Sequence, residues 1–526
     1  MSGSSPCVLI GLDAVEITLV ERLLAEGRLR NLAALRARGC HGTLEAKPTG
    51  FLSMVWPSFW TSTRLGEHGW FFNKLWRPEA MRLQYVAPDW LPIRPFVDAP
   101  SLRDRRMALL DVPFLADPPA GMNGFFLNGW QCHDDFGRRT HPAELWGRLQ
   151  RGFGKPAQRP ELFGPQTART LLRQREEALA SIEQFGRISA ALLAEGEWDL
   201  FLTVFGGPHR STHYLWNLSQ VDVDGLVPNE RHVLENACTE IYEGWDRALG
   251  EIVDGAPADA RIVAFALHGM GTNQGWTEQF DRVVQRVHAG GEDGDAPRRG
   301  VAYRVKKALP WKLVRQVTTR LPAGVNHALV PLWSKRMHDW SRTRFFTLPA
   351  DLNAYVRINL RGREAAGIVE PGAEYEALCQ ELKEAFLGFV DIDSGRPFVA
   401  GVERVDSLVG PDAPARRYLP DLQVRWADLP IHESSGVRSQ RYGEIVWGHG
   451  FRLPSGRSGN HVDHGWFVAV GPGIRPGPCR RAYETIDVIP TVFEWLDAER
   501  PSWFQGRPIP ELTAGSGPPV GGSTDG

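Results

Sequence analysis

The sequence predicts an α/β fold, in which a mostly parallel sheet carries helices on both of its faces. Short apolar runs recur along the chain, and segments with helical spacing separate them. Strands of such sheets are apolar throughout, because helices bury them on each side. Polar or histidine-containing segments adjoin these runs, and open α/β sheets bind ligands beyond the carboxyl ends of their strands. The sequence therefore predicts both a fold class and the edge of the sheet that carries the site.

The elements follow one another in a regular order. Cys7–Leu12 is the first apolar run and ends at Asp13, and Ile17–Arg38 then shows leucines at helical spacing. Thr170–Leu193 and Val233–Val253 also have helical patterns. Three later runs predict further strands: 199–205, 261–267 and 466–470.

Composition excludes several classes of protein. The chain has 526 residues, of which 42% are hydrophobic, but no apolar run approaches the roughly 18 residues of a membrane span. Sixty Lys and Arg stand against 62 Asp and Glu, for a net charge of −2. The overall field therefore cannot attract nucleic acid, and charge-based recognition has to be local. No nucleic-acid partner is expected, and the sequence does not indicate an oligomeric state.

Six scattered cysteines and the first residues of the chain bear on its location. The cysteines include no C-x-x-C pair, so neither a disulfide scaffold nor a cysteine-rich zinc site is expected. The first sixteen residues, MSGSSPCVLIGLDAVE, lack the basic and long apolar regions of a signal peptide. We therefore expect a cytoplasmic protein with reduced thiols.

A strongly basic stretch interrupts the α/β pattern. Residues 298–344 contain one acid, Asp339, and twelve basic residues: Arg298, Arg299, Arg304, Lys306, Lys307, Lys312, Arg315, Arg320, Lys335, Arg336, Arg342 and Arg344. Such a stretch favours either a cap that attracts an anionic substrate or a solvated helical insert without a ligand. We predict a core over 1–274, a mainly helical basic cap over 275–350, a second core part over 351–512 and a disordered tail over 513–526.

Histidines form the most informative pattern. His209 and His213 lie four residues apart directly after a predicted strand, so a helix beginning at Pro208 would place both on one face. His461 lies in a loop before another strand. Three imidazoles with an open fourth position form the ligand set of a catalytic zinc. Taken singly, each histidine is equally consistent with a solvated loop or helix start.

Other strand ends and one loop add candidates. His268 follows a strand and lies beside a glycine, where a buried structural histidine is the alternative to a site residue. Asp13 suits a cation or a helix cap. The loop 49–63 supplies several hydroxyls near a helix start, where a hydroxyl beside a metal can become a nucleophile.

These motifs, in this order, resemble the alkaline phosphatase superfamily and, within it, the type I phosphodiesterase/nucleotide pyrophosphatase branch. The resemblance spans most of the chain. Its pieces are GLD at 11–13, WPSF at 56–59 with GEHG at 66–69, GGPHRSTH at 206–213, LHGMG at 267–271, and RSGNHVDHGWFVAVGPGI at 457–474 with TIDVIPTVFEWLD and QGRPIPEL. The stretch 355–369, YVRINLRGREAAGIV, is similar to a predicted bacterial and archaeal group in that superfamily.

The resemblance implies an alkaline-phosphatase-like three-layer sandwich with two metal ions, usually zinc, beside a Ser or Thr nucleophile. One ion would be held by His209, His213 and His461, with His209 at a position that is usually Asp. Asp13 and His268 would hold the other. The usual second carboxylate is replaced by Leu267, so a mononuclear site is an alternative, with His268 as acid or base. Manganese is an alternative to zinc, and Asp463 is a candidate for the missing charge.

The nucleophile position also departs from the family pattern. The hydroxyl four residues before the Trp of the loop is replaced by Leu52, and the nearest hydroxyl is Ser53. We predict Ser53 as the nucleophile, with Thr49 and Ser58 as alternatives and metal-activated water as a further one. The predicted function is metal-dependent hydrolysis of a small anionic phosphate ester, phosphodiester or sulfate ester. Group transfer and a non-catalytic binding role are the alternatives.

Overall fold

A computed structural model describes residues 5–87, 94–132, 136–158, 164–221, 225–291, 329–331, 334–335 and 337–513. The strands are β1 (Cys7–Leu12), β2 (Cys40–Glu45), β3 (Lys74–Arg77), β4 (Arg82–Tyr85), β5 (Arg106–Leu110), β6 (Asn123–Asn128), β7 (Arg139–His141), β8 (Leu200–Phe205), β9 (Arg261–Ala266), β10 (Gly269–Thr272), β11 (Phe345–Leu348), β12 (Ala354–Ile358), β13 (Val390–Asp391), β14 (Val399–Arg404), β15 (Leu422–Trp426), β16 (Gly436–Ser439), β17 (Gly443–Val446), β18 (Gly459–Val462), β19 (Gly465–Val470), β20 (Gly477–Pro478) and β21 (Tyr483–Glu484).

The α-helices are α1 (Ile17–Ala25), α2 (Arg30–Ala37), α3 (Val55–Thr61), α4 (Leu65–His68), α5 (Leu145–Phe153), α6 (Ala168–Ala194), α7 (Gly207–Leu215), α8 (Pro228–Gly255), α9 (Thr277–Ala289), α10 (Ala373–Leu387), α11 (Val405–Val409), α12 (Val488–Trp495) and α13 (Pro510–Thr513). Leu52–Met54 forms one turn of 3-10 helix before α3.

One large sheet runs through the centre in the order β20-β2-β19-β9-β1-β8-β5-β6-β7, with β21 also paired to β2. The strands from β9 to β6 are parallel, whereas β19 runs antiparallel to both β9 and β2. This confirms the predicted mostly parallel sheet. Because β19 is antiparallel, its first residues lie at the same edge as the carboxyl ends of β1, β8 and β9.

Two hydrophobic clusters cover opposite faces of the sheet. Along β1, Val8, Ile10 and Leu12 belong to one cluster, whereas Cys7 and Leu9 belong to the other. This alternation follows from the period of two in a strand. The first cluster includes residues of α1, α2, α6 and α8, and the second includes residues of α3 and α12. Helices therefore form the two outer layers that the sequence predicted.

The predicted helical stretch Ile17–Arg38 is divided into two helices. α1 ends at Ala25, α2 begins at Arg30, and Gly27 lies between them at a φ of 69°. A positive φ suits glycine, which lacks the Cβ that would clash there. The leucine spacing continues across the break because both helices bury leucines in the same cluster.

A third hydrophobic cluster is formed by the second half of the chain. It joins α9 and α10 to the antiparallel sheet β11-β12-β15-β14. Most of the basic stretch at 298–344 lies outside the described residues, so the helical character of the cap stays a prediction. The flanking helix α9, which falls within the predicted cap, packs in the same cluster as strands after residue 350. The predicted tail lies outside the described residues beyond Thr513.

In the described part of the chain, no helix is both long and apolar enough to cross a bilayer.

Candidate metal centre

The candidate residues converge at the predicted edge of the sheet. Asp13 directly follows β1, and α7 begins two residues after β8, with Pro208 in its first turn. Proline is well suited to a first turn, because the backbone N–H it lacks would have no partner within the helix. His209 and His213 consequently lie one turn apart in α7. His461 belongs to β18, which pairs antiparallel with β10 so that His461 is opposite Met270.

Three imidazoles meet at one point. The Nε2 atom of His209 lies 2.9 Å from Nε2 of His213 and 2.9 Å from Nε2 of His461. One ligand atom from each residue lies within 4.8 Å of the others, and all three side chains are buried. Within the described residues, no other group of three His, Cys, Asp or Glu side chains brings its donor atoms together this closely.

In His213 and His209, hydrogen bonds at the outer ring nitrogen determine which nitrogen points inward as a lone pair. His213 Nδ1 donates to the Gly459 carbonyl oxygen at 3.0 Å, and His209 Nδ1 donates to Asp13 Oδ2 at 2.5 Å. A neutral imidazole that donates through Nδ1 presents an unprotonated Nε2. Facing lone pairs at 2.9 Å repel each other unless a cation lies between them. The donor set therefore fits a divalent transition metal bound by neutral histidines.

Asp13 is held from two sides. Its Oδ2 accepts from His209, and its Oδ1 accepts from the Trp56 indole Nε1 at 2.8 Å. The carboxylate is 2% exposed. Burial alone would raise the pKa of Asp13, but its electrostatic interactions and hydrogen bonds with His209 and His268 hold this pKa well below its usual value. Asp13 is therefore ionised and orients the imidazole of His209.

His268 lies beside this pair. Its Nε2 is 3.4 Å from Asp13 Oδ1, its Nδ1 is 3.2 Å from the Gly269 carbonyl oxygen, and its ring centroid is 4.5 Å from that of His461. The remaining carboxylate candidate, Asp463, accepts a hydrogen bond from the backbone N–H of Ala46 at 3.2 Å. His268 thus borders the histidine cluster, whereas Asp463 is engaged with the backbone after β2.

Burial keeps the imidazoles of His213 and His461 neutral. It lowers the pKa of both His213 and His461 well below the usual value, and the positive charge of Arg457 adds to the effect on both. Neutral imidazole is the form that binds a metal, so these two histidines can bind an ion at neutral pH without first losing protons.

Residues 7–400 of the chain match the family model described as type I phosphodiesterase/nucleotide pyrophosphatase. The chain belongs to this family. Among curated proteins, none is significantly similar to the chain in sequence.

Solved structures with the same fold include phosphonoacetate hydrolase from Sinorhizobium meliloti 1021, in complex with phosphonoacetate or phosphonoformate. These share 15% and 14% identity with the chain, cover 94% of it and 96% of their own length, and superpose with TM-scores of 0.51 and 0.50. Murine ectonucleotide pyrophosphatase/phosphodiesterase 5 in complex with AMP is 9% identical, with 94% and 96% coverage and a TM-score of 0.45. The two phosphonoacetate hydrolase structures show the alkaline-phosphatase-like fold of this type I phosphodiesterase family member.

The three predicted hydroxyls of this family member have different surroundings. Ser53 is half-buried in the 3-10 turn Leu52–Met54, and that turn lies against β18, the strand of His461. Thr49 is exposed. Ser58 is buried in α3, and its Oγ lies 2.8 Å from His68 Nε2. Ser53 therefore remains the predicted nucleophile.

The tautomer of His68 argues against Ser58. The backbone N–H of Trp70 donates to His68 Nδ1 at 3.1 Å, so the ring proton is on Nε2 and is donated to Ser58 Oγ. Burial lowers the pKa of His68 to about 3. A ring that donates to the serine oxygen cannot accept its proton, so this pair is structural.

The lowered pKa of His68 leads to a prediction about the stability of the protein in acid. The unfolded chain protonates His68 near pH 6.5, whereas the folded protein excludes that proton until about pH 3. Stability contributed by the neutral ring is therefore present above pH 6.5 and is lost as the pH falls toward 3. The free energy of unfolding falls by up to about 1.4 kcal/mol per pH unit. Urea unfolding of the wild type and His68→Gln between pH 7 and pH 4 should give a steeper decline for the wild type. Equal slopes would contradict the assignment.

Sequence reasoning missed the role of two residues. Trp56 belongs to a recognised motif, but only the structure shows that its indole N–H binds Asp13. Arg457 lies two residues before β18 with its side chain 12% exposed, and its charge reaches His213 and His461. The sequence did offer one indication of the role of Arg457, because this arginine lies in the loop just before the candidate ligand His461.

Proposed function

We propose that this protein is a metal-dependent hydrolase of small anionic phosphate esters or phosphodiesters, with sulfate esters as a related substrate class. The main support is the convergence of three imidazole Nε2 atoms within 4.8 Å at the ligand-binding edge of the sheet. Membership in a family named for phosphodiesterase and pyrophosphatase activity supports the reaction class.

His209, His213 and His461 are the proposed metal ligands, with zinc as the proposed ion and manganese as the alternative. An ion bound there would polarise a phosphoryl oxygen and acidify water. Arg457 would favour an anionic substrate, because its charge reaches the histidine cluster although it also pairs with Asp351 Oδ1 at 3.8 Å. His268, at the border of the cluster, is the proposed acid or base.

Ser53 Oγ is the proposed nucleophile, because it is the hydroxyl on the turn that lies against the strand of His461. In this proposal the serine oxygen attacks the phosphorus, the alcohol leaves with a proton, and water then releases phosphate or phosphomonoester from the serine. The cytoplasm is the proposed place of the reaction, in line with the scattered cysteines.

Hydrolysis of a defined panel would test the function. Purified protein is assayed with an aryl phosphate, a bis-aryl phosphodiester, an aryl sulfate and phosphonoacetate, first as isolated, then after chelation, and then after return of Zn²⁺ or Mn²⁺. We expect turnover of at least one ester, its loss on chelation and its recovery with metal. Turnover unaffected by chelation in metal-free protein would refute metal-dependent hydrolysis.

Replacing the proposed nucleophile gives a further prediction. Ser53→Ala should lower kcat by about 10³-fold or more, since the attacking atom is removed while the histidines remain. Thr49→Ala is the matched control, because Thr49 is an exposed hydroxyl of the same loop, and it should retain wild-type turnover. Intact turnover in Ser53→Ala would remove Ser53 from the mechanism and leave water as the nucleophile.

A non-catalytic binding role is the second candidate, favoured by the apolar residues Leu52 and Leu267 at positions where the family resemblance implies a nucleophile and a carboxylate. Metal binding without turnover of any panel member would favour it. Group transfer is separated from hydrolysis by product analysis in the presence of alcohol or amine acceptors.

A further inference from the structure

We infer that this centre binds one divalent ion, at His209, His213 and His461, and that Asp13 is a positioning residue for His209 rather than a ligand of a second ion. The inference rests on the proposed metal site and specifies it further. The family resemblance implies a second ion between Asp13 and His268, so the question is whether the residues at that position can hold one.

The carboxylate of Asp13 already has partners on both oxygens. Oδ2 accepts from His209 Nδ1, and Oδ1 accepts from the indole N–H of Trp56, which is 3% exposed and fixed in the core. Trp56 packs edge-on against Phe59 and also contacts Phe265, so its indole cannot turn away without disturbing that cluster. The orientation of Asp13 is therefore set by protein groups.

Too few donors remain for a second ion. Asp13 Oδ1 and His268 Nε2 are 3.4 Å apart and form a pair, but catalytic metal sites generally use at least three protein ligands. The position that resemblance assigns to another carboxylate is Leu267, which is 1% exposed and belongs to the same apolar cluster as Trp56. Among the described residues, no third donor completes a group with this pair.

Two other carboxylates lie nearby, but among the described residues neither forms a close donor group with Asp13 and His268. Asp463 Oδ1 accepts from the backbone N–H of Ala46, and Glu16 Oε1 accepts from the N–H of Thr18, while Glu16 Oε2 is buried against Gly269. Two divalent cations a few Å apart repel strongly in a buried site and require anionic ligands between them. Asp13 alone cannot supply that charge, so the residues fit one ion and not two.

One ion also explains why a histidine occupies position 209. A carboxylate that accepts from the outer nitrogen of a metal-binding imidazole fixes the ring and increases its basicity. Asp13 has this relation to His209, whose other nitrogen faces His213 and His461. In this arrangement His209 would bind the ion directly, and Asp13 would bind His209. The negative charge of Asp13 would therefore be separated from the ion by the imidazole ring.

Metal stoichiometry tests the inference without any substrate. Protein is stripped with chelator, equilibrated with excess Zn²⁺, freed of unbound ion by gel filtration and analysed by elemental mass spectrometry. We expect one zinc per chain. Two zinc ions per chain would overturn the inference but leave the proposed hydrolase intact, whereas binding of neither Zn²⁺ nor, in a parallel sample, Mn²⁺ would refute the metal site and with it both proposals.

Restoring a carboxylate provides a gain-of-function test. Leu267→Asp should raise the stoichiometry from one zinc to two, because it adds a third, anionic donor to Asp13 and His268. Leu267→Asn is the control, because asparagine is nearly equal in size to aspartate but carries no charge. This variant should still bind one zinc ion per chain. Circular dichroism confirms that both variants are folded. A folded Leu267→Asp that still binds one zinc would count against the view that Leu267 is what excludes the second ion.

The role of Asp13 is tested independently of Leu267. Asp13→Asn should keep a stoichiometry of one and weaken zinc affinity by about 10- to 100-fold, the usual effect of losing a partner behind a metal-binding histidine. Competition with a fluorescent zinc chelator measures this shift. Unchanged zinc affinity, or loss of one of two bound ions, would contradict the positioning role.

Discussion

Replacing His213 by alanine is expected to remove both metal binding and turnover. His213 is buried, its Nδ1 is fixed by the Gly459 carbonyl, and its Nε2 points toward His209. Two imidazoles left in the cluster cannot hold a divalent ion firmly, since catalytic zinc normally has three protein ligands. We expect bound zinc to fall from one per chain to below about one tenth, and kcat/KM to fall by roughly 10⁴-fold or more.

A histidine outside the cluster provides the control. His432 is exposed, and His432→Ala should retain both zinc and turnover. Elemental analysis and the ester panel are performed on the same preparations, so that metal loss and activity loss can be compared directly. Full turnover in His213→Ala despite a loss of zinc would contradict a catalytic role for the ion.

Removing Asp421 is expected to cost about 3–5 kcal/mol of folding free energy, the usual range for breaking a buried ion pair by deleting one partner. Its carboxylate accepts from both terminal nitrogens of Arg363 at 2.7 Å, from the Tyr375 hydroxyl at 2.7 Å and from the Ile358 N–H at 2.6 Å. Asp421→Asn would leave Arg363 and the fully buried Arg357 with less compensating charge. Urea unfolding at pH 7 measures the loss.

An exposed ion pair in the same segment is the matched control. Arg361 and Glu370 are 2.7 Å apart, with side chains 59% and 54% exposed. Because water screens such a pair, Glu370→Gln should change stability by less than about 1 kcal/mol. Equal losses for Asp421→Asn and Glu370→Gln would contradict the assigned importance of burial.

The lowered pKa of Asp421 also predicts part of the loss of stability at low pH. Burial alone would raise the pKa of Asp421, but Arg363 and Arg357 lower it to about 2. A depressed carboxyl pKa contributes stability above the unfolded value near 4, and this contribution disappears as the pH falls toward 2. The wild type should therefore lose stability over that window, and Asp421→Asn should lack that component.

Much of the fold could be predicted because a buried strand appears in the sequence as a short run of apolar residues. The apolar runs at 7–12, 199–205 and 261–267 correspond to β1, β8 and β9, which lie side by side in the centre of the sheet. The break at Gly27 was missed, since leucine spacing reports the buried face and not the continuity of the backbone. The direction of β19 was also not predictable, because a buried strand has the same composition in either direction.

The histidine cluster was predictable for a different reason. His209 and His213 are one helical turn apart, and His461 precedes a strand, so chain position places all three near the same edge. The link between Asp13 and Trp56 joins residues 43 positions apart, and no local periodicity indicates such a contact. Whether an aspartate touches an ion or a neighbouring histidine depends on ångström-scale packing, which sequence patterns do not encode.

The order of the proposed ligands along the chain has a consequence for biosynthesis. His209 and His213 leave the ribosome about 250 residues before His461, and the strands of the third hydrophobic cluster are made in between. A nascent chain therefore holds the two imidazoles of α7 for nearly half of its synthesis without the partner on β18. If the proposed site binds an ion, tight capture becomes available only near the end of translation, and a bound ion would mark a polypeptide whose two halves have come together.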